Sequence, residues 1–168
     1  MEKIGIFYSS SRGKSEFTAG ILKDFLKERC EVFDFLDNIE KIKEFNKLIF
    51  IIPTYGVGIP QEDWGKNLDT LKKIDFTNKQ IGFIGRGNQG FFAATFIDGV
   101  RPIYDIVIEN GGNVVGFTST EGYEFVKSKA VIDNRFIGLA LDEMFMYQDV
   151  KDRVKNWLKD SFGSDYEV

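Results

Sequence analysis

Histidine is absent from the sequence, and that one absence removes much of the usual acid–base chemistry. Histidine triads, histidine general bases and most zinc or non-haem iron sites are excluded. Cys30 is the only cysteine, so neither an intrachain disulfide nor a thiolate cluster can form. No apolar run approaches the ~20 residues that a membrane span needs, and the first residues carry no apolar signal core. A cytoplasmic location without membrane insertion is expected. Positive charge is not in excess either: 22 Lys and Arg stand against 26 Asp and Glu, a net charge of −4, which speaks against a nucleic-acid surface. Residues 1–60 are balanced, so the acidic excess falls in the remainder of the chain. Proline is scarce, at positions 53, 60 and 102 only.

Phenylalanine is abundant, with 17 copies, and at 168 residues the chain is long enough to bury a sizeable core as one domain over 1–168. Residues 3–8 read as a buried strand. Phe17, Ile21, Leu22 and Phe25 follow at helical spacing and place a first helix over about 13–28. Cys30, Val32 and Phe33 open a second strand. Asp37-Asn38 offers a cap for a short helix carrying Ile39, Ile42 and Phe45. Leu48–Ile52 is a strand apolar on both faces, and Pro53 is expected to stop it. Trp64, Leu68 and Leu71 suggest a third helix, and Ile81–Ile84 a fourth strand. A helical pattern from 92 to about 110 is interrupted by Pro102, so a kink is expected near Asp98–Arg101. Val114–Phe117 and Phe136–Ala140 look like two more strands. Asp149 can cap a last helix with Val150, Val154, Trp157 and Leu158 inward, and the tail over 162–168 is expected to fray.

Strand and helix alternate, which implies a mostly parallel sheet with helices on both faces. In such a doubly wound sheet, ligands bind at the carboxyl ends of the strands. Three loops lie there.

The first is Ser9–Ser15, with Ser10, Ser11, Arg12, Gly13, Lys14 and Ser15 between a strand and a helix start. Free N–H groups at a helix N-terminus, backed by the macrodipole, attract phosphate, and the serine hydroxyls add donors. Taken alone, such a turn is most often a simple helix cap. A nucleotide P-loop would need glycine where Tyr8 stands, so that match fails. The remaining reading is a phosphate cradle of another kind. The second loop, Pro53-Thr54-Tyr55-Gly56-Val57-Gly58-Ile59-Pro60, sets an aromatic ring between a proline turn and two glycines, suited to lie over a planar ligand. A surface tyrosine on a turn is the plain alternative.

The third loop, Gly85-Arg86-Gly87-Asn88-Gln89-Gly90-Phe91-Phe92, matches the three-glycine dinucleotide fingerprint in form. The acid at a suitable distance, Glu109, precedes the next strand instead of ending it, so that reading is rejected. Planar recognition fits better: Asn88 can offer a donor and an acceptor to a ring edge, and Phe91 or Phe92 can stack. A phosphate cradle with an aromatic on each of two neighbouring loops suits a phosphorylated planar ring such as flavin mononucleotide (FMN).

At these motifs the chain resembles the flavodoxins, over most of its length. Ser10–Ser15 stands where the family has a hydroxyl-rich phosphate loop. Pro53-Thr54-Tyr55-Gly56 with Gln61-Glu62-Asp63-Trp64, and Gly87-Asn88-Gln89 with Phe92 and Phe96-Ile97-Asp98, match the flavin loops. Thr120–Phe125 and Phe136–Glu143 look like the long-chain subgroup, in which an inserted loop, here 118–135, splits the fifth strand. The resemblance implies a flavodoxin-like five-stranded parallel sheet of order 2-1-3-4-5 with helices on both faces. It implies non-covalent FMN held by Ser10, Ser11, Arg12, Gly13, Lys14, Ser15, Thr54, Tyr55, Gly56, Val57, Gly58, Gly87, Asn88 and Phe92.

The implied function is one-electron transfer on the semiquinone/hydroquinone couple, with no substrate-turnover site. The alternative is an FMN-dependent NAD(P)H quinone or azo reductase, and a receiver-like signalling domain fails for want of acids at strand ends. The implied partners are a ferredoxin/flavodoxin–NADP reductase and ferredoxin-using redox proteins. They would dock weakly on a monomer through acids such as Glu62, Asp63, Glu121 and Glu124. The chain departs from the family pattern with Arg12 for threonine, Phe92 for tyrosine, Tyr55 for tryptophan and Asn88 for aspartate.

Overall fold

A computed structural model describes residues 1–9 and 11–168. In chain order its elements are β1 (Ile4–Tyr8), α1 (Lys14–Leu26), β2 (Cys30–Asp34), β3 (Lys47–Tyr55), β4 (Ile59–Pro60), α2 (Glu62–Gly65), α3 (Leu68–Leu71) and β5 (Gln80–Gly87). They continue with α4 (Val100–Glu109), β6 (Asn113–Val115), β7 (Thr118–Ser119), β8 (Val131–Ile132), β9 (Arg135–Phe136), β10 (Leu139–Asp142) and α5 (Tyr147–Phe162). Among the described residues, β2, β1, β3 and β5 lie side by side in that order and all run parallel. β6 and β10 share the far edge of β5, one against Gln80–Gly82 and the other against Ile84–Gly87. They are two halves of one edge strand, and the doubly wound order that the resemblance implies is the one observed. Between the halves, β7, β9 and β8 form a small antiparallel sheet of their own, so Phe136 belongs to that sheet and not to the edge strand.

The phenylalanines have a structural reason. Phe33, Phe7, Phe50 and Phe83 stand in register across four adjacent strands on one face of the sheet. Phe7 stacks on Phe33 at 5.1 Å and meets Phe50 edge-on at 6.0 Å, and Phe50 meets Phe83 edge-on at 6.0 Å. Each fully buried ring stabilises the fold by about 1.5–3 kcal/mol, and edge-to-face pairs add about 0.5–1.5 kcal/mol. Trp64, Phe96, Ile103 and Val107 complete this layer. The alternate residues Ile4, Ile6, Ile49, Ile51 and Ile84 face the other way, onto α1 and α5. Gly82 in β5 leaves the space that the Trp157 indole of α5 occupies.

Several boundaries differ from the sequence reading. β3 runs through Pro53 to Tyr55: β1 ends at Tyr8 opposite Ile51, and beyond it β3 pairs with the antiparallel β4, where Pro53 contributes only its carbonyl, accepting from the Gln61 N–H at 2.8 Å. The expected helix over 92–110 starts only at Val100. Pro102 then falls in its first turn, where an N–H would have no intrahelical acceptor, so the proline breaks no helix hydrogen bond. The third helix is two short pieces, α2 and α3, and the segment Ile39–Glu44 is a 3₁₀ helix. α5 begins at Tyr147, so Asp149 sits within its first turn and bonds Arg153 at 2.9 Å instead of capping. Where fraying is expected, Ser164–Tyr166 forms a 3₁₀ turn. Tyr166 is buried, and its hydroxyl donates to the Glu2 carbonyl at 2.5 Å. No helix among the described residues is long and apolar enough to cross a membrane.

Candidate functional site

The carboxyl ends of β1, β3 and β5 bring the three loops together. Gly13 caps α1 at φ 79°, a left-handed conformation natural to glycine, and its carbonyl accepts from the Phe17 N–H at 3.0 Å. The helix therefore starts at once, and the N–H groups of Lys14, Ser15 and Glu16 have no intrahelical acceptor. Ser11 donates its N–H to the Tyr55 hydroxyl at 3.2 Å, which ties the first loop to the second. Beneath them Ser9 is fully buried and bonds Gln61 Oε1 at 2.5 Å; Gln61 in turn caps α2 by accepting from the Asp63 N–H.

Two cavities open here. The smaller, about 10 Å³, lies at the start of α1 and is lined by Arg12, Lys14, Ser15, Pro53, Thr54, Tyr55, Arg86 and Glu143. Three cations and one carboxylate line it, in a protein of net negative charge. Ser15 Oγ is buried there without a hydrogen-bond partner. The larger, about 480 Å³, shares Arg12, Thr54, Tyr55 and Glu143 with it and adds Gly56, Asn88, Phe91 and Phe92. Aromatic rings from two loops thus flank a cleft that meets the cationic cradle.

The guanidinium of Arg12 packs over the Tyr55 ring, 5.6 Å from its centroid. Lys14 pairs with Glu143 at 3.6 Å. Thr54 Oγ1 accepts from the Gly99 N–H at 2.9 Å, bracing the second loop against the start of α4. Asn88 differs from the expectation that its side chain meets a ring edge with both groups. Its Oδ1 accepts from the Gly90 and Phe91 N–H groups at 3.0 and 2.9 Å, so it shapes its own loop. The Nδ2 group reaches Glu143 Oε2 at 3.5 Å. Gly56 and Gly58 both adopt positive φ, 54° and 78°, while Val57 between them is exposed and lines neither cavity. Gly87 supports the site from below, its carbonyl accepting from the Glu143 N–H at 2.8 Å. Ser10 lies outside the described residues.

Sequence reasoning did not place Arg86, Gln61 or Glu143 in the site. Glu143 follows a strand end and could have been found from that position; Arg86 was read within the third loop and given no role there, whereas it lies inside β5. A cavity of about 520 Å³ also opens between the gap in the edge strand and α5, lined by residues such as Phe117, Arg135 and Trp157. None of the expected site residues takes part in it. No group of three or more potential metal ligands gathers among the described residues.

A parallel doubly wound sheet whose first loop forms an anion cradle, with aromatic rings on the two neighbouring loops, defines a class of ligand-binding α/β proteins. Comparison with known proteins narrows the class. The flavodoxin family model matches residues 6–157. The flavodoxin of Buchnera aphidicola is 39% identical over 162 residues, covering 95% of each chain, and that of Helicobacter pylori is 37% identical over 165 residues, covering 98% and 99%. The crystal structure of Fusobacterium nucleatum flavodoxin bound to flavin mononucleotide superposes with a TM-score of 0.89 at 39% identity, covering 94% of this chain and 95% of that one. The chain belongs to the flavodoxin family.

Proposed function

We propose that this protein binds FMN non-covalently in the cleft and carries single electrons between redox proteins, with no substrate-turnover site of its own. The observation that carries the proposal is the buried, unpartnered Ser15 Oγ in a cationic cradle that adjoins an aromatic-walled cleft. The cations and hydroxyl donors of the cradle suit a phosphate in chemistry, and the aromatic walls of the cleft suit a planar ring. When bound, FMN supplies the reversible one-electron chemistry. The residues supply position and field. Ser11, Gly13, Lys14 and Ser15 present N–H and hydroxyl donors to the phosphate, with Ser10 assigned there by the resemblance, and Arg12 covers the loop from its seat on Tyr55. Tyr55 and Phe92 flank the ring, excluding water from its faces. Gly56, Val57, Gly58, Gly87 and Asn88 form the backbone of the two flavin loops, and Thr54 holds the first of them in place.

The inserted loop over 118–135, which carries most of a three-stranded sheet of its own, supports placing the chain in the long-chain subgroup as a single domain. The proposed setting is a monomer in the cytoplasm. Its proposed partners are a ferredoxin/flavodoxin–NADP reductase and ferredoxin-using proteins. Val57, Ile59 and Phe91 are exposed at or beside the cleft, and Asp63, Glu121 and Glu124 are acids available for weak steering. Glu62 is paired with Lys66, so its share in steering is the smaller. Stopped-flow reduction by the reductase should slow as ionic strength rises, and the purified protein alone should not oxidise NADPH steadily. Steady NADPH turnover without a reductase would contradict the carrier reading.

A further inference from the structure

Arg86 is a charged residue at a buried position of the central sheet. It stands near the carboxyl end of β5, between Gly85 and Gly87, and is only 8% exposed. Its hydrogen bond runs from Nη1 to Thr18 Oγ1 at 2.6 Å. Thr18 is itself anchored by donating to the Lys14 carbonyl at 3.0 Å, one turn back along α1. The guanidinium is therefore pinned beneath the first turn of α1, on the wall of the small cavity that Ser15 also lines. No carboxylate lies within ion-pair distance of it among the described residues. Glu143, on the same cavity, reaches Lys14 instead.

A buried charge that lacks a counter-charge is strongly destabilising, and burial pulls the pKa of Arg86 below the usual guanidinium range, opposed in part by Glu143. Such a group persists where it serves a ligand of opposite sign. The neighbouring cations serve less well. Arg12 is exposed and lies on Tyr55, and the Lys14 side chain is about half exposed, so solvent screens both. Arg86 acts from a desolvated position, where the effective dielectric is lower and the field stronger.

We propose that Arg86 is the fixed counter-charge for the phosphate of the bound mononucleotide, and that it makes this chain discriminate a phosphorylated flavin from an unphosphorylated one. The inference rests on the FMN reading above and adds to it a residue that acts from beneath the loop. Arg86 holds one donor on Thr18 and lines the small cavity alongside the unpartnered Ser15 hydroxyl, so the rest of its fork is available to the cradle.

The test compares two ligands on the same protein. Flavin-loaded full-length protein is diluted, and recovery of free-flavin fluorescence gives the dissociation constant, once with FMN and once after exchange into riboflavin. Arg86→Met should weaken FMN binding by about 10- to 100-fold, the size of a lost charged hydrogen bond, and change riboflavin binding by less than about twofold. Arg86→Lys should keep most of the preference for FMN. Thermal unfolding without added flavin should occur in Arg86→Met at or above the wild-type midpoint, since an uncompensated buried charge has gone. Arg86→Gln, which can still donate to Thr18, carries the same ligand comparison if the methionine variant does not fold. An FMN-to-riboflavin preference unchanged in the neutral variants would overturn the proposal, as would equal weakening of both ligands, which would make Arg86 a brace between β5 and α1. Wild-type protein that binds neither flavin would overturn the FMN reading itself.

Discussion

At the scale of single residues, two polar side chains show how the fold redirects what the sequence offers. Asn88 was legible as a loop residue facing the ligand, but its oxygen is engaged by the Gly90 and Phe91 N–H groups. An aspartate there could accept the same two bonds while adding a negative charge next to Glu143 and the cleft. At about 5 Å from the ring, that charge would oppose the uptake of a further electron by roughly 1–3 kcal/mol, or several tens of millivolts up to about a hundred. Asn88→Asp should therefore make the lower one-electron potential more negative. A redox titration showing no downward shift would contradict this.

Asp98 is buried, and its Oδ1 accepts from the Lys129 N–H at 2.7 Å. Burial raises its pKa, against the lowering effects of that hydrogen bond and of Lys129 and Lys127. The folded chain thus holds this proton to higher pH than the unfolded chain. Ionised Asp98 costs stability above its raised pKa, and that cost fades as pH falls through the raised value toward the ordinary carboxylate range. Asp98→Asn keeps an acceptor for Lys129 and should be more stable than wild type near neutral pH, with the advantage shrinking in acid. Denaturant titrations at about pH 7 and about pH 4 would show it; a loss of stability at neutral pH would sink the idea.

At the scale of elements, long periodic segments were legible and their ends were not. The core of β3 and the inward face of α5 follow from apolar runs and spacing. Pro53 looked like a stop because a proline usually ends a central strand, but β1 ends before it and the chain beyond β4 uses only its carbonyl, a fact of register that no local pattern carries. The start of α4 was hidden for a similar reason. The apolar pattern begins near Phe92, yet residues before Val100 form turns that bond to the inserted segment, with Phe96 donating to the Lys127 carbonyl and Val126 to that of Ala93. The split edge strand depends on two tight points. Gly116, at φ 82°, sits against the Trp157 indole, which donates to its carbonyl at 2.9 Å. Gly138 passes so close to β5 that an added Cβ would overlap the Phe83 carbonyl, which is backbone and cannot move aside. Gly138→Ala should therefore destabilise the protein by about 1–3 kcal/mol or more, through displacement of β10 from β5. An unchanged unfolding midpoint would contradict the close packing described here.

At the scale of the whole molecule, alternation of strand and helix was enough to give a doubly wound sheet, and the sheet placed the cleft. The first two loops were legible because serine, glycine and tyrosine carry their chemistry locally. Arg86 was not, since its position matters only once α1 is folded over the end of β5 and Thr18 meets it. A chain of net charge −4 gathers Arg12, Lys14 and Arg86 around one small cavity, and that concentration of positive charge is what a phosphate would exploit. The same overall negative charge suits weak, salt-sensitive docking to a basic partner.

The central claim, an FMN-bearing one-electron carrier, is tested most directly by the visible spectrum of the purified protein during stepwise reduction with dithionite. The expected result is flavin absorption that passes through a blue one-electron-reduced form before bleaching. A colourless protein that added FMN cannot reconstitute would contradict it.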